Sequence, residues 1–332
     1  NIPLTKAATY TVSNTADSGA GSFRQAIVDA NGNAGSDTIN FTTTGTIALS
    51  STMDAITGET IIDGTTAPDD LAGPDIILSG SSSIDCIVVI NGSNTLIYGI
   101  GFSGCRKGVK VDDAAVSNFQ VGGTGARQSC FFDGSTTSGI SFEAGSNLRA
   151  YYNSIGTLSA NNVGITISGG DTIAIGGDSA SQGNEIVSST THGINITGGS
   201  NVTLAGNVIG AKFAGTIAGN GQNGINVNNG SVTSLIIGGV TAANQILGNT
   251  QNGILIGSST QFATIRNNYI GMSATGFIAG NTLNGIYLNS ANHTVGGPTA
   301  SQRNYISGNT LSGVYRYRFN RSTRKAKYSK WN

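Results

Sequence analysis

Side chains suited to acid–base or metal chemistry are confined to the first part of the chain. All 17 carboxylates lie at or before Glu185; residues 186–332 carry 10 Lys/Arg and no carboxylate. Cleaving a glycosidic bond or binding Ca²⁺ calls for paired or clustered carboxylates. Residues 186–332 therefore hold no such site by themselves. Two clusters in the first half have suitable spacing. Asp69, Asp70 and Asp75 in TAPDDLAGPD form a candidate Ca²⁺ loop, although with Pro68 and Pro74 beside them a solvated turn is the simpler reading. Asp112 and Asp113 follow Arg106, Lys107 and Lys110. A charged surface patch is simpler there, because adjacent acids on a strand point to opposite faces.

Other reactive types are sparse. His192 and His293 have no triad-like or zinc-like company in sequence and read as turn residues. GGDSASQG and GGPTASQ resemble phosphate loops, but no helix follows to supply a dipole. Three cysteines are too few for a disulfide framework. Buried apolar thiols are the simpler reading for all three. A bridge between neighbouring coils, with Cys86 and Cys105 the candidate pair, is the alternative. The tail VYRYRFNRSTRKAKYSKWN alternates Tyr315, Tyr317 and Phe319 with Arg316 and Arg318 and ends near Trp331. Aromatic and cationic groups together suit an anionic or glycan ligand. The preferred reading is an end cap, its arginines discouraging edge-to-edge pairing.

The elements that must position these residues are announced by repetition. NVIGAKFAGTIAGNGQNGINV (207–227) and NYIGMSATGFIAGNTLNGIYL (268–288) stand at a constant offset, and an IGG…N.I motif alternates with them. A fixed period signifies a stacked array. Short Val/Ile/Thr-rich pieces separated by Gly, Asn, Ser or Asp run from Asp37 onward, with no helix between them. The expected fold is all-β, a right-handed parallel β-helix of ~10–12 coils and roughly 50 Å. Apolar side chains at alternate positions would fill its core. Asn207 with Asn268 and Asn220 with Asn281 are candidate rungs of asparagine ladders, the missing rungs coming from Asn249 or another Asn. Gly224 and Gly285 occupy equivalent steps, where glycine suits sharp corners.

Three regions are expected. Residues 1–35 form an N-terminal cap, in which SFRQAIVDAN reads as one amphipathic helix with Ser22 as N-cap and Gly32 as its stop. Residues 36–315 form the β-helix, and residues 316–332 a basic aromatic tail or cap. No apolar run approaches the ~18 residues of a membrane span. The opening NIPLTKAATY lacks Met and a signal-like stretch, and reads as a processed or trimmed end.

TYTVSNTADSGAGSFRQAIVDAN, DTINF and ETIIDGTTAP, followed by the later NxIG…GN…NGI…IGG pattern, resemble CSLREA-type bacterial surface proteins. The resemblance covers about 9–66 and 153–314; residues 67–152 match only in style. It implies an extracellular or cell-surface β-helix, often part of a longer chain; it does not imply a catalytic site. The expected function is structural or adhesive, without a cofactor. Carbohydrate, other surface proteins or a larger assembly are the expected partners, and nucleic acid is not. Loops 211–222 and 272–283 would make the contacts. The alternative is a polysaccharide lyase or glycoside hydrolase with its site in the acidic first half.

Overall fold

The computed structural model describes residues 6–68, 73–179, 181–228, 230, 232–319 and 326–331, with backbone alone for 126, 318–319 and 326–331. Among the described residues three sheets run along the molecule, here called A, B and C, with 11, 10 and 10 strands. The chain visits them in turn, so each coil contributes a strand to each sheet. Every strand pairing between coils is parallel. The fold is a right-handed parallel β-helix.

The alternation of apolar residues produces it. Ile165, Ile194, Ile225, Ile254 and Ile286 register in one inward column of sheet C, each fully buried. Phe132, Ile155, Ile186, Ile209, Ile246 and Ile270 do the same in sheet B. Each such side chain contributes about 1.5–3 kcal/mol by leaving water. An inward carboxylate in either column would break the stack.

Asparagine closes the corners between sheets. Asn207, Asn244, Asn268 and Asn304 form one ladder, each Nδ2 donating to the next Oδ1 at 2.9–3.0 Å. Asn220, Asn249, Asn281 and Asn309 form another, at 2.8–2.9 Å. Asn249 is thus the rung between Asn220 and Asn281, and Asn244 the one between Asn207 and Asn268. Gly224 and Gly285 serve a different purpose from the one expected. Neither takes a positive φ. A Cβ on Gly224 would lie 2.8 Å from the Gly253 carbonyl oxygen, and on Gly285 2.6 Å from that of Gly313. The next coil's backbone passes too close for any side chain.

At the N-terminal end the helix Phe23–Gly32 lies over the first coil. Its N-cap Ser22 accepts from the Gln25 amide at 3.2 Å. Phe23, Ala26, Ile27 and Ala30 are buried, and the Phe23 and Phe41 rings stand 5.3 Å apart. The helix includes Gly32 and ends at Asn33, one residue later than expected.

Cys86 and Cys105 are joined in a disulfide, their Cα atoms 5.8 Å apart, which corrects the reading of three free thiols. One coil of chain brings them side by side. Cys130 is free and buried, and burial pushes its thiol up to about 12.

Candidate functional site

The outward face of sheet B is a groove. Its floor follows the strand register: Phe131, Ser154, Glu185, Val208, Gln245, Tyr269 and Tyr305 stand in one column. Two hairpins rise beside it, closed by the bridges Ala211–Ile217 and Met272–Ile278. They share one construction: Lys212 N–H donates to the Thr216 carbonyl at 2.8 Å, and Ser273 N–H to that of Phe277 at 2.8 Å. Their tips turn on Gly215 and Gly276, both at φ +87°.

Two recesses lie along this face. One, of 350 Å³, is bounded by Ile77, Phe131, Asp133, Leu158 and Ser159. The other, of 530 Å³, lies between the hairpins beside Lys212, Phe213, Gln245 and Phe277. Leu158, Phe213, Ile217, Phe277, Ile278 and Tyr305 are all exposed here. Such clustering of apolar side chains at a surface marks a contact site. Tyr152 stacks on Phe213 with ring centres 5.8 Å apart, and Tyr269 on Tyr305 at 4.9 Å.

Midway along the groove a polar network ties the walls to the floor. Asp133 Oδ1 accepts from the amides of Leu158 (2.9 Å) and Ser159 (3.1 Å). Lys212 Nζ donates to the Thr157 carbonyl at 3.0 Å. Glu185 Oε2 accepts from the Phe213 amide. Burial raises the pKa of both Asp133 and Glu185, opposed by these amides and by the charge of Lys212. Asp133, Glu185 and Lys212 are far apart in sequence, which is why no spacing revealed them. The one signal is that Lys212 is the sole base between Arg149 and Arg266 and sits inside the repeated loop.

The residues singled out by sequence lie elsewhere. Asp69 and Asp70 fall outside the described residues. Asp75 faces Arg127 at 3.2 Å. Among the described residues no group of three or more His, Cys, Asp or Glu could hold a metal ion. Asp112 pairs with Lys110, and Asp113 accepts from the Ala115 amide in a turn at 2.8 Å. The expected patch draws its main anions from other coils: Arg106 pairs with Asp85, and Lys107 with Glu143. Register across coils, not adjacency, sets those pairs.

His192 and His293 each accept a backbone amide on Nδ1, from Asn223 and Ala263. Burial lowers the pKa of both, and Arg316 lowers His293 further. They are structural. Tyr315 stacks on Tyr287 at 5.1 Å. Arg316 registers opposite Leu288, at the inward position where the next core aliphatic would stand. Tyr317 is half-buried, and the side chains of Arg318 and Trp331 lie outside the described part of the molecule. The strand Val314–Phe319 extends sheet C and pairs antiparallel with Ala326–Trp331.

No described helix is long and apolar enough to cross a membrane. No family model matches the sequence, and no curated protein matches it significantly. Several solved structures resemble it in backbone. An alginate lyase from Paenibacillus sp. str. FPU-7 aligns with a TM-score of 0.55 and 16% identity, over 92% of this chain and 99% of that one. The A-module of a mannuronan C-5 epimerase from Azotobacter vinelandii aligns with a TM-score of 0.46 and 15% identity, over 91% and 96%. PfbA, a surface adhesin of Streptococcus pneumoniae, aligns with a TM-score of 0.44 and 12% identity, over 93% and 91%. At such identities the likeness establishes the fold and nothing finer.

Proposed function

We propose that this chain is an extracellular adhesive rod whose sheet B groove contacts neutral glycan. The row of exposed aromatic and aliphatic side chains between the two hairpins carries the reading. Flat aromatic faces match the C–H faces of a pyranose ring, and a few fixed polar groups orient it. The repeat of an extended pyranose chain is also about the rise of one coil, ~4.8 Å. Two carboxylates against one lysine disfavour a polyanion at the groove's centre. The disulfide supports an oxidising compartment, and the resemblance to CSLREA-type proteins supports the bacterial cell surface. Continuous ladders favour stiffness and resistance to proteolysis.

The test is binding of the full chain to a panel of neutral oligosaccharides, repeated with Phe213→Ala and Phe277→Ala. Saturable binding that weakens about tenfold in each variant, the scale of one lost stacking platform, is the expected result. Absence of binding to every glycan, or binding indifferent to both changes, rejects the reading.

A second reading, a polysaccharide-cleaving enzyme, rests on Asp133 and Glu185 beside Lys212. Carboxyls whose protonation is favoured by burial are suited to donate a proton to a leaving oxygen. Incubation with acidic and neutral polysaccharides separates the readings. Release of reducing or unsaturated ends, abolished by Asp133→Asn or Glu185→Gln, would favour catalysis.

A further inference from the structure

Toward the N-terminal end of the sheet B groove the outward column runs Thr46, Ile77, Gly101 and Phe131. Of these four only Gly101 lacks a side chain, and the backbone does not require its absence. Gly101 takes no positive φ. A Cβ there would meet Ile77 Cγ1 at 3.1 Å and no backbone atom nearer than 3.5 Å. At Gly224 and Gly285 a passing carbonyl forbids a side chain; at Gly101 only the movable Ile77 side chain stands close. The missing group leaves a dent between Ile77 and Phe131 in the 350 Å³ recess. The Phe131 ring lines this recess and stacks on no other described ring.

Two residues further along the same strands stands a polar row, Ser79, Ser103 and Asp133. Asp133 is only 7% exposed. Its Oδ1 is taken by the Leu158 and Ser159 amides, and its Oδ2 accepts no hydrogen bond from a described residue. Burial disfavours the ionised carboxylate, while those two amides, Lys212 and the Thr157 amide favour it. A carboxylate so enclosed, with one oxygen open to the recess, calls for a donor from the ligand. The Ser103 hydroxyl, exposed beside it, has no described partner. Leu158, fixed through its amide to Asp133, holds its side chain 85% exposed at the rim. An apolar side chain presented in this way is suited to cover an apolar part of a ligand.

We propose that this recess takes the acetamido group of an N-acetylated hexose. The methyl enters the dent over Gly101, against Phe131 and beneath Leu158. The amide N–H donates to Asp133 Oδ2, and the amide oxygen accepts from Ser103 Oγ. A hydroxyl in place of the acetamido group offers a donor but nothing to fill the dent. The recess is near the lower end of the ~300–1,000 Å³ of ligand sites, which suits one sugar residue. This assignment rests on the sheet B glycan reading and gives that groove a chemical preference.

Calorimetric titration of the full chain with three oligosaccharides of equal length and linkage tests it: N-acetylglucosamine, glucose and glucosamine oligomers. The acetamido ligand should bind at least about tenfold tighter than the glucose ligand, the scale of one filled apolar dent and one hydrogen bond. Gly101→Ala, which fills the dent, should remove that preference. So should Asp133→Asn, which keeps an oxygen for the Leu158 and Ser159 amides and replaces the open acceptor by a donor. Melting temperatures close to the parent's report that each variant is folded. Phe213→Ala should weaken the acetamido and glucose ligands alike and keep the preference. Equal affinity for these two ligands overturns the proposal, and so does a preference that survives both Gly101→Ala and Asp133→Asn. Tightest binding of the glucosamine oligomer also overturns it, since the recess would then be selecting a cation. Glucose-oligomer binding that is sensitive to Phe213→Ala but shows no acetamido preference leaves the sheet B reading standing and rejects this one. Absence of binding to all three rejects both.

Discussion

Glu185 and Gln245 stand two coils apart in one column of sheet B and hold equivalent hairpins by equivalent bonds. Glu185 accepts from the Phe213 amide; Gln245 Oε1 accepts from the Ala274 amide at 3.0 Å. The bond therefore requires an oxygen acceptor and no charge. At Glu185 the charge is an added burden, because burial raises its pKa.

That relationship predicts the effect of Glu185→Gln. In the unfolded chain Glu185 ionises in the ordinary carboxylate range; in the folded chain it ionises higher. Between those two values the native state binds more protons, so the Glu185 contribution to stability falls as pH rises. Glu185→Gln should melt at a higher temperature than the parent above that window. The advantage should shrink as pH is lowered through it and vanish below the ordinary carboxylate range. Melting curves across pH check this, and a variant less stable at neutral pH would contradict it.

The internal ladders should matter far more than the exposed ones. Asn249 is fully buried, accepts from the Asn220 backbone and side-chain amides, and donates to Asn281 at 2.8 Å. Asn249→Ala leaves those partners unpaired, and each buried unpaired group costs about 1–3 kcal/mol. A total loss of about 3 kcal/mol or more is expected in denaturant titration. Asn118, in the exposed row with Asn94 and Asn147, sits at φ +55°. Asn118→Gly tolerates that backbone and should change stability by no more than about 0.5 kcal/mol.

Phe262 marks a corner that glycine or asparagine would fill better. Asn94, Asn118, Asn147, Thr172, Asn201, Ser234, Phe262 and Asn292 register in one column leading into sheet A, all at φ +51° to +65°. A non-glycine residue there costs roughly 1–2 kcal/mol, and Asn relieves part of it by local hydrogen bonding. Phe262 is also 67% exposed, so its ring has little packing to lose. Phe262→Asn should stabilise the fold by about 1 kcal/mol, read as a shift in denaturation midpoint.

The column beginning at Asn207 shows how far sequence reaches. The pairing of the 207 and 268 segments is visible because both carry the long hairpin. Asn244, the rung between them, follows a step of 37 residues and precedes one of 24. Long and short coils thus alternate, and only the two-coil period repeats cleanly. Asp133 and Glu185 escaped notice for the same reason: loops of varied length decide which outward positions become neighbours. Aliphatic periodicity depends only on strand geometry, and it revealed the core. The glycine steps were legible as positions, but their cause, the passing carbonyl of the next coil, is a tertiary contact.

The cysteines give the last prediction. Cys86 and Cys105 are bonded, and Cys130 is buried with its thiol pushed up to about 12. A thiol reagent acts on thiolate that it can reach, so the native protein should show no reactive thiol. Denaturation without reductant should expose one, and denaturation with reductant, followed by its removal, all three. Closing a loop of 19 residues restricts the unfolded chain, and reduction should lower stability by about 3 kcal/mol. Because the coil that carries the bridge also carries the Asp85–Arg106 pair, that loss should appear first as proteolytic nicking near residues 85–106. Nicking confined to the hairpins at 211–217 and 272–278 would mean that the bridge does not hold the acidic half of the rod.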